Sequence, residues 1–148
     1  MDSERLLQLL EEVREKKIST SQAVAQLRHM PYEDLGFAKI DHHRAIRQGF
    51  PEVILGEGKA PKDIAAIIRA LRRHKNNILV TRLSPEKMTT LKGTIGGLRY
   101  HVIARAATWI AKPITIKGKG VVLVVCAGTS DIPVAEEAFL TATLVGNC

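Results

Sequence analysis

Hydrophobic and polar positions follow three different rhythms along this chain, and each rhythm predicts a different kind of element. Over residues 2–17, Leu6, Leu7, Leu9, Leu10 and Val13 recur at helical spacing among Glu, Arg and Lys. That spacing predicts an amphipathic helix, with Asp2 or Ser3 as its cap. Ser19-Thr20-Ser21-Gln22 has the form of a capping box and predicts a second, shorter helix through Val24, Leu27 and His29, ended by Pro31. Residues 1–30 therefore read as a helical hairpin.

The rhythm changes at Leu35 to short apolar pieces separated by Gly and Pro. Phe37-Ala38-Lys39-Ile40 reads as a strand, residues 41–49 as a helical turn, and Val53-Ile54-Leu55-Gly56 as a second strand. Ala60-Pro61-Lys62-Asp63 then starts a helix carrying Ile64, Ile67, Ile68 and Leu71, and Ile78-Leu79-Val80-Thr81 returns as a strand, completing a β-α-β unit. Ser84-Pro85-Glu86-Lys87 starts a further helix with proline at its first position. A glycine-rich turn, 93–97, leads into residues 100–110, which suit either a strand or a helix. These pieces make a small α/β domain over 31–117, closed by a Gly- and Lys-rich link at 112–120.

The third rhythm is an unbroken apolar run, Gly120-Val121-Val122-Leu123-Val124-Val125-Cys126, followed by Ala127-Gly128-Thr129-Ser130-Asp131-Ile132-Pro133. It predicts a buried strand, a small-residue turn and a helix start in which Ser130 or Asp131 caps and Pro133 sits where a missing amide proton costs least. Residues 118–148 thus read as the first βα unit of a parallel α/β domain. One such unit cannot bury its own apolar faces, so it is expected that either partner chains cover it or the natural product continues past this point.

Composition narrows the class. With 148 residues and 45% hydrophobic content the chain can build a core. Two cysteines exclude a disulfide framework and a cysteine-based metal site, with Cys126 expected in the core and Cys148 at a chain end. The N-terminal sequence lacks the order of a secretory signal and no apolar run approaches the roughly 18 residues of a membrane span, so a cytoplasmic protein without a membrane partner is expected. The net charge of +7 raises a nucleic-acid reading. Its cations are spread through Arg69, Arg72, Arg73, Arg82, Lys87, Lys92, Arg99, Arg105 and beyond, and aromatics amount to only 4%. A small acidic ligand or a solvated face is expected ahead of DNA or RNA.

Two turns are candidate anion sites. Gly128, Thr129, Ser130 and Asp131 offer backbone N–H groups and hydroxyls at a helix start, although such a turn also serves simply to cap a helix. Gly56-Glu57-Gly58-Lys59-Ala60 lies between a strand and a helix with Lys59 able to reach an oxyanion, yet it lacks the spacing and hydroxyl of a Walker A loop, and a plain connecting turn stays open. Asp41-His42-His43-Arg44 places imidazoles next to a carboxylate, but adjacent residues point apart and do not readily share a metal. No catalytic triad can be assembled.

Three motifs together carry a family resemblance: residues 41–59, from Asp41-His42-His43-Arg44 to Gly56-Glu57-Gly58-Lys59; Thr81-Arg82-Leu83-Ser84-Pro85-Glu86-Lys87; and residues 127–138, from Ala127-Gly128-Thr129-Ser130-Asp131 to Glu136-Glu137-Ala138. In this order they resemble the pyridinium-3,5-biscarboxylic acid mononucleotide synthases of nickel-pincer cofactor biosynthesis, relatives of aminoimidazole ribonucleotide carboxylase. The resemblance implies an α/β fold: a helical hairpin, a small α/β domain and the first βα unit of a mutase-like domain. It implies carboxylation of nicotinic acid adenine dinucleotide at C5 of the pyridine ring with release of AMP, with magnesium and with carbon dioxide or bicarbonate as co-substrate. It gives Gly128, Thr129, Ser130 and Asp131 a ligand role, beside Lys59 as the candidate of the other turn, and it implies a homo-oligomer for the full-length protein. A thiolate adding beside the ring nitrogen would make C5 nucleophilic toward carbon dioxide. The family's cysteine for that step lies far downstream, so the resemblance implies a member truncated before it, with no catalytic residue of its own and inactive alone. An aminoimidazole ribonucleotide carboxylase or mutase, and a non-catalytic nucleotide-binding or assembly module, are the alternative readings.

Overall fold

The computed structural model describes residues 3–27, 32–41, 44 and 52–147, and the chain divides into two compact units, 1–52 and 53–148. In the first unit, helix α1 (Ser3–Arg14) and helix α2 (Thr20–Leu27) are joined by a tight turn. The capping box forms as its sequence dictates: the Gln22 amide donates to Ser19 Oγ at 3.1 Å and the Ser19 amide to Gln22 Oε1 at 2.8 Å. Leu9 and Ala23 are buried, whereas Leu7, Leu10 and Val24 remain exposed. Strands β1 (Tyr32–Asp34) and β2 (Lys39–Asp41) pair as a small antiparallel ribbon, and the Asp41 amide donates to Glu52 Oε2 at 2.7 Å. Strand β1 lies just before the point where the sequence pattern suggested strands begin. The expected end of α2 at His29 and Pro31, and the pair His42 and His43, lie outside the described residues.

The second unit is built on a four-stranded sheet of order β3-β4-β6-β5. Strand β3 (Val53–Leu55) runs parallel to β4 (Ile78–Thr81), and the crossover such a pair requires is helix α3 (Pro61–Arg73). Residues 100–110 resolve into a hairpin, β5 (Arg99–His101) and β6 (Ala106–Trp109), with β6 also antiparallel to β4. Helix α4 (Pro85–Lys92) packs on α3. Ile78, Leu79 and Val80 are all buried, so β4 is covered on both faces. Leu79 packs with Ala104 and Ala106, and with Val53, Leu140 and Leu144 around them. Ile64, Ile68 and Leu71 of α3 are essentially inaccessible.

The expected strand over 120–126 does not form. Residues 121–127 have no regular structure, Val121 is 83% exposed and Leu123 81%, and Cys126 lies at the surface instead of in a core. The physical reason is the missing ladder: a strand exists only by pairing its backbone, and no described strand pairs with this segment. The helix that follows, α5 (Ile132–Leu144), does form. It is entered through a 3-10 turn (Thr129–Asp131) in which the Asp131 amide donates to the Gly128 carbonyl. Asp131 occupies the N-cap position with helical dihedrals, and no side chain caps the helix, so neither Ser130 nor Asp131 performs the expected capping. At its far end, Gly146 has φ +89° and its carbonyl accepts from the Lys117 and Gly118 amides, which ties the helix end back to the link. Among the described residues no helix is long and apolar enough to cross a membrane.

Candidate functional site

The parallel pairing of β3 and β4 puts the loops that leave both strands at one edge of the sheet, the edge at which open α/β sheets hold ligands. Because β6 runs antiparallel to β4, the turn that precedes β6 reaches the same edge. Three loops therefore meet there: Gly56-Glu57-Gly58, Arg82-Leu83-Ser84, and Val102-Ile103-Ala104-Arg105. They are stitched by backbone bonds, Gly56 N–H to the Thr81 carbonyl at 2.8 Å and Leu83 N–H to the Arg105 carbonyl at 2.6 Å. The Tyr100 hydroxyl adds a bond to the Leu83 carbonyl at 2.8 Å. Gly56 is required at its position, since a Cβ there would stand 2.9 Å from the Thr81 carbonyl oxygen.

Between these loops and the first turns of α5 lies a cleft of about 400 Å³. The loops and α4 contribute Glu57, Arg82, Ser84, Lys87 and Arg105; α5 contributes Pro133, Val134 and Glu137. Arg82 Nη1 donates to Glu57 Oε2 at 3.1 Å, while the Arg82 backbone amide donates to Glu137 Oε2 at 3.0 Å. Lys87 Nζ donates to the Gly56 carbonyl at 2.9 Å. Ser84 caps α4, accepting from the Lys87 amide. A hydrogen bond to Ser84 is the main cause that holds the Glu86 carboxyl below its ordinary range, with the Arg105 cation adding to it. Burial raises the Tyr100 phenol, and the same Arg105 cation opposes that rise.

Arg82 and Arg105 share a further property: each has φ +47°. That left-handed conformation is disfavoured for residues with a Cβ by about 1–2 kcal/mol. Lys16 and Lys75 also have positive φ, but each follows the last turn of a helix, α1 and α3, where left-handed residues serve as terminators. Arg82 and Arg105 terminate no helix. Both face the cleft.

The residues singled out from sequence lie around this site rather than in it. Gly128, Thr129, Ser130 and Asp131 form the 3-10 turn that enters α5; Ser130 Oγ donates to Asp131 Oδ1 at 3.4 Å, and the last three are exposed. They precede the Pro133 and Val134 that line the cleft but do not line it themselves. Lys59 is half-buried on the approach to α3, outside the lining, and the lysine of the cleft is Lys87. Sequence reasoning placed Arg82, Lys87 and Arg105 among scattered cations, since they are separated along the chain and gathered only by the topology. The available signal was the Thr81-to-Lys87 motif. Among the described residues no three His, Cys, Asp or Glu side chains converge as a metal site.

A family model described as LarB/PurE-like N-terminal domain matches residues 32–112, more than half of the chain. An uncharacterized protein of Methanocaldococcus jannaschii is 36% identical over 138 residues, an alignment that takes in 87% of this chain and 53% of that protein. The chain thus spans about half the length of the curated relative it matches.

Proposed function

This chain belongs to the LarB/PurE-like N-terminal domain family, and from that premise we propose that it is the ligand-binding part of a carboxylase that converts nicotinic acid adenine dinucleotide to pyridinium-3,5-biscarboxylic acid mononucleotide with release of AMP. The observation that carries the reading is convergence. Glu57 and Gly58 of the first motif, Arg82, Ser84 and Lys87 of the second, and Pro133, Val134 and Glu137 of the third line a single cleft. The sheet topology brings the first two motifs to one edge, and the charged side chains they carry there, with Glu137 of the third, share that one cleft. In this reading carbon dioxide or bicarbonate is the co-substrate. Magnesium accompanies the reaction, and among the described residues no three His, Cys, Asp or Glu side chains gather to hold it.

The role of this chain is to bind and orient the dinucleotide. The cleft of about 400 Å³ falls in the range of small-molecule sites and takes roughly one nucleotide of the two. Its cations suit the phosphates, and its apolar wall of Val134 and Ala104 suits a ring.

Calorimetric titration of the purified chain with nicotinic acid adenine dinucleotide and, in parallel, with aminoimidazole ribonucleotide tests the reading. Binding of the dinucleotide alone, or tighter binding of it, is the expected result. Binding of aminoimidazole ribonucleotide alone would move the chain to the ribonucleotide carboxylase reading. No binding of either, together with a stable oligomer by light scattering, would overturn both in favour of an assembly module.

A further inference from the structure

The cleft contains three cationic side chains, Arg82, Lys87 and Arg105, and two carboxylates, Glu57 and Glu137. Both carboxylates are spent on one residue, Glu57 on the Arg82 guanidinium and Glu137 on the Arg82 backbone amide. Lys87 is held on a carbonyl that carries no net charge. The Arg105 guanidinium forms no hydrogen bond or ion pair among the described residues, while its field reaches Tyr100 and Glu86. Positive charge is thus left over in a cleft whose volume of about 400 Å³ is of nucleotide size.

The backbone adds an independent observation. Glycine or asparagine adopts φ +47° at little cost, so an arginine at each of two such positions in one cleft is held against the local preference. The Leu83-to-Arg105 backbone bond joins the loops that carry these residues, which fixes the spacing of the two backbones from which the guanidinium groups extend before any ligand arrives. The Arg82–Glu57 pair is solvent-exposed on both sides, with side-chain exposures of 63% and 65%. A pair in that setting contributes little and can exchange its carboxylate for a stronger anion.

We propose that Arg82, Lys87 and Arg105 form a phosphate-binding site for a phosphomonoester or phosphoanhydride of mononucleotide size, with Glu57 as the internal anion that the phosphate displaces from Arg82. Ser84 Oγ adds a hydroxyl donor at the same wall. Arginine is suited to this task because its planar guanidinium offers two parallel donors to a phosphate, and Lys87 adds a point charge. The proposal rests on the ligand-binding reading above for its place in a larger reaction, but the site is defined by its own geometry and is tested with simple probes.

The probes are inorganic phosphate, pyrophosphate and AMP, titrated calorimetrically into the full chain at low and at moderate salt. AMP binding well above phosphate marks a phosphomonoester site with a nucleoside pocket, whereas pyrophosphate binding above AMP marks a phosphoanhydride site; either outcome supports the proposal. Arg105→Asn and Arg82→Asn remove the cation while supplying a residue that tolerates the left-handed backbone. Each is expected to weaken binding of the preferred probe by about 10-fold or more. Lys75→Asn makes the same change of charge at the same kind of backbone position outside the cleft, and is expected to leave binding unchanged.

Glu57→Gln is expected to act in the opposite direction and to tighten binding by about 2- to 5-fold, because it removes the competing carboxylate. Raising the ionic strength should weaken binding to the wild-type chain. Equal binding to wild type and Arg105→Asn, or weaker binding to Glu57→Gln, would overturn the site; so would binding of none of the three probes. If either arginine variant fails to fold by circular dichroism, Glu57→Gln still decides. Nicotinic acid adenine dinucleotide binding that survives Arg105→Asn would sink this site and leave the proposed function standing, whereas phosphate probes that bind while the dinucleotide does not would do the reverse.

Discussion

Two strand-and-helix segments of this chain look alike in sequence and behave differently in the structure. The segment β3–α3 and the segment 120–144 each pair an apolar run with a 13-residue helix that carries proline in its first turn. In the first, the strand pairs with β4 and six residues of α3 are buried. In the second, the apolar run stays unpaired and exposed, and no residue of α5 is buried, although Leu140 and Leu144 rest on the sheet. Apolar composition therefore supplies a tendency to be buried, but a neighbouring strand supplies the burial. Helix α5 forms without such a neighbour because its hydrogen bonds are internal.

The sharpest test of that contrast compares side-chain truncations on the two helices. Ile68→Ala, at a site with no exposed surface, is expected to cost about 3–4 kcal/mol in chemical denaturation. Phe139→Ala, at a side chain 56% exposed, should stay within about 0.5 kcal/mol. Equal losses would show that α5 is packed as tightly as α3, and would break the comparison. Next in size is Gly56→Ala, where the added Cβ meets the Thr81 carbonyl oxygen at 2.9 Å between the loop after β3 and the end of β4. A loss of about 2 kcal/mol is expected from that overlap. A neutral result would mean that the loop edge of the sheet yields more readily than its hydrogen bonds suggest.

What could be read from the sequence follows the same division. The capping box at Ser19 and Gln22, proline at the start of α3, the start of α4 at Ser84-Pro85, and β4 at Ile78–Thr81 were legible because each depends on residues within a few positions of one another. Residues 100–110 stayed ambiguous because their hairpin turn, Val102 to Arg105, has no Gly or Asn to announce it; Arg105 occupies the left-handed position instead. The pattern over 120–126 reads as a strand that the structure lacks, because nothing local distinguishes an apolar run that has a partner from one that does not. The candidate site was half legible. Two of its three loops, Gly56-Glu57-Gly58 and Arg82-Leu83-Ser84, fall within the sequence motifs, but Arg105 joins Arg82 and Lys87 only through the antiparallel register of β6 on β4.

A smaller effect separates the two helix starts. Ser84 Oγ accepts the Lys87 amide at the start of α4, so Ser84→Ala is expected to cost about 1 kcal/mol. Asp131 holds the equivalent position at α5 without a side-chain cap, and Asp131→Ala should change stability by no more than about 0.5 kcal/mol. Thermal unfolding of the two variants measures both. A larger loss at Asp131 would show that the carboxylate caps α5 in solution after all.

The smallest expected effect probes the hairpin that carries Arg105. His101 Nε2 lies 3.0 Å from Thr108 Oγ1, and burial, with the Arg99 cation adding to it, holds the imidazole below its ordinary value of 6.5. The folded state therefore binds its proton less readily than the unfolded chain does. Stability from this group is complete above pH 6.5 and is lost as the pH falls through 6.5 toward the lower folded value. His101→Gln keeps a polar side chain beside Thr108 and removes the titration, so its stability should fall less steeply between pH 7 and pH 5 than that of the wild type. Parallel pH profiles of the two proteins would mean that the imidazole is as well solvated in the fold as in the unfolded chain. The side chains on this face of β5 would then be open to water as those of 121–127 are, and the difference between the two regions would rest on the pairing of the backbone alone.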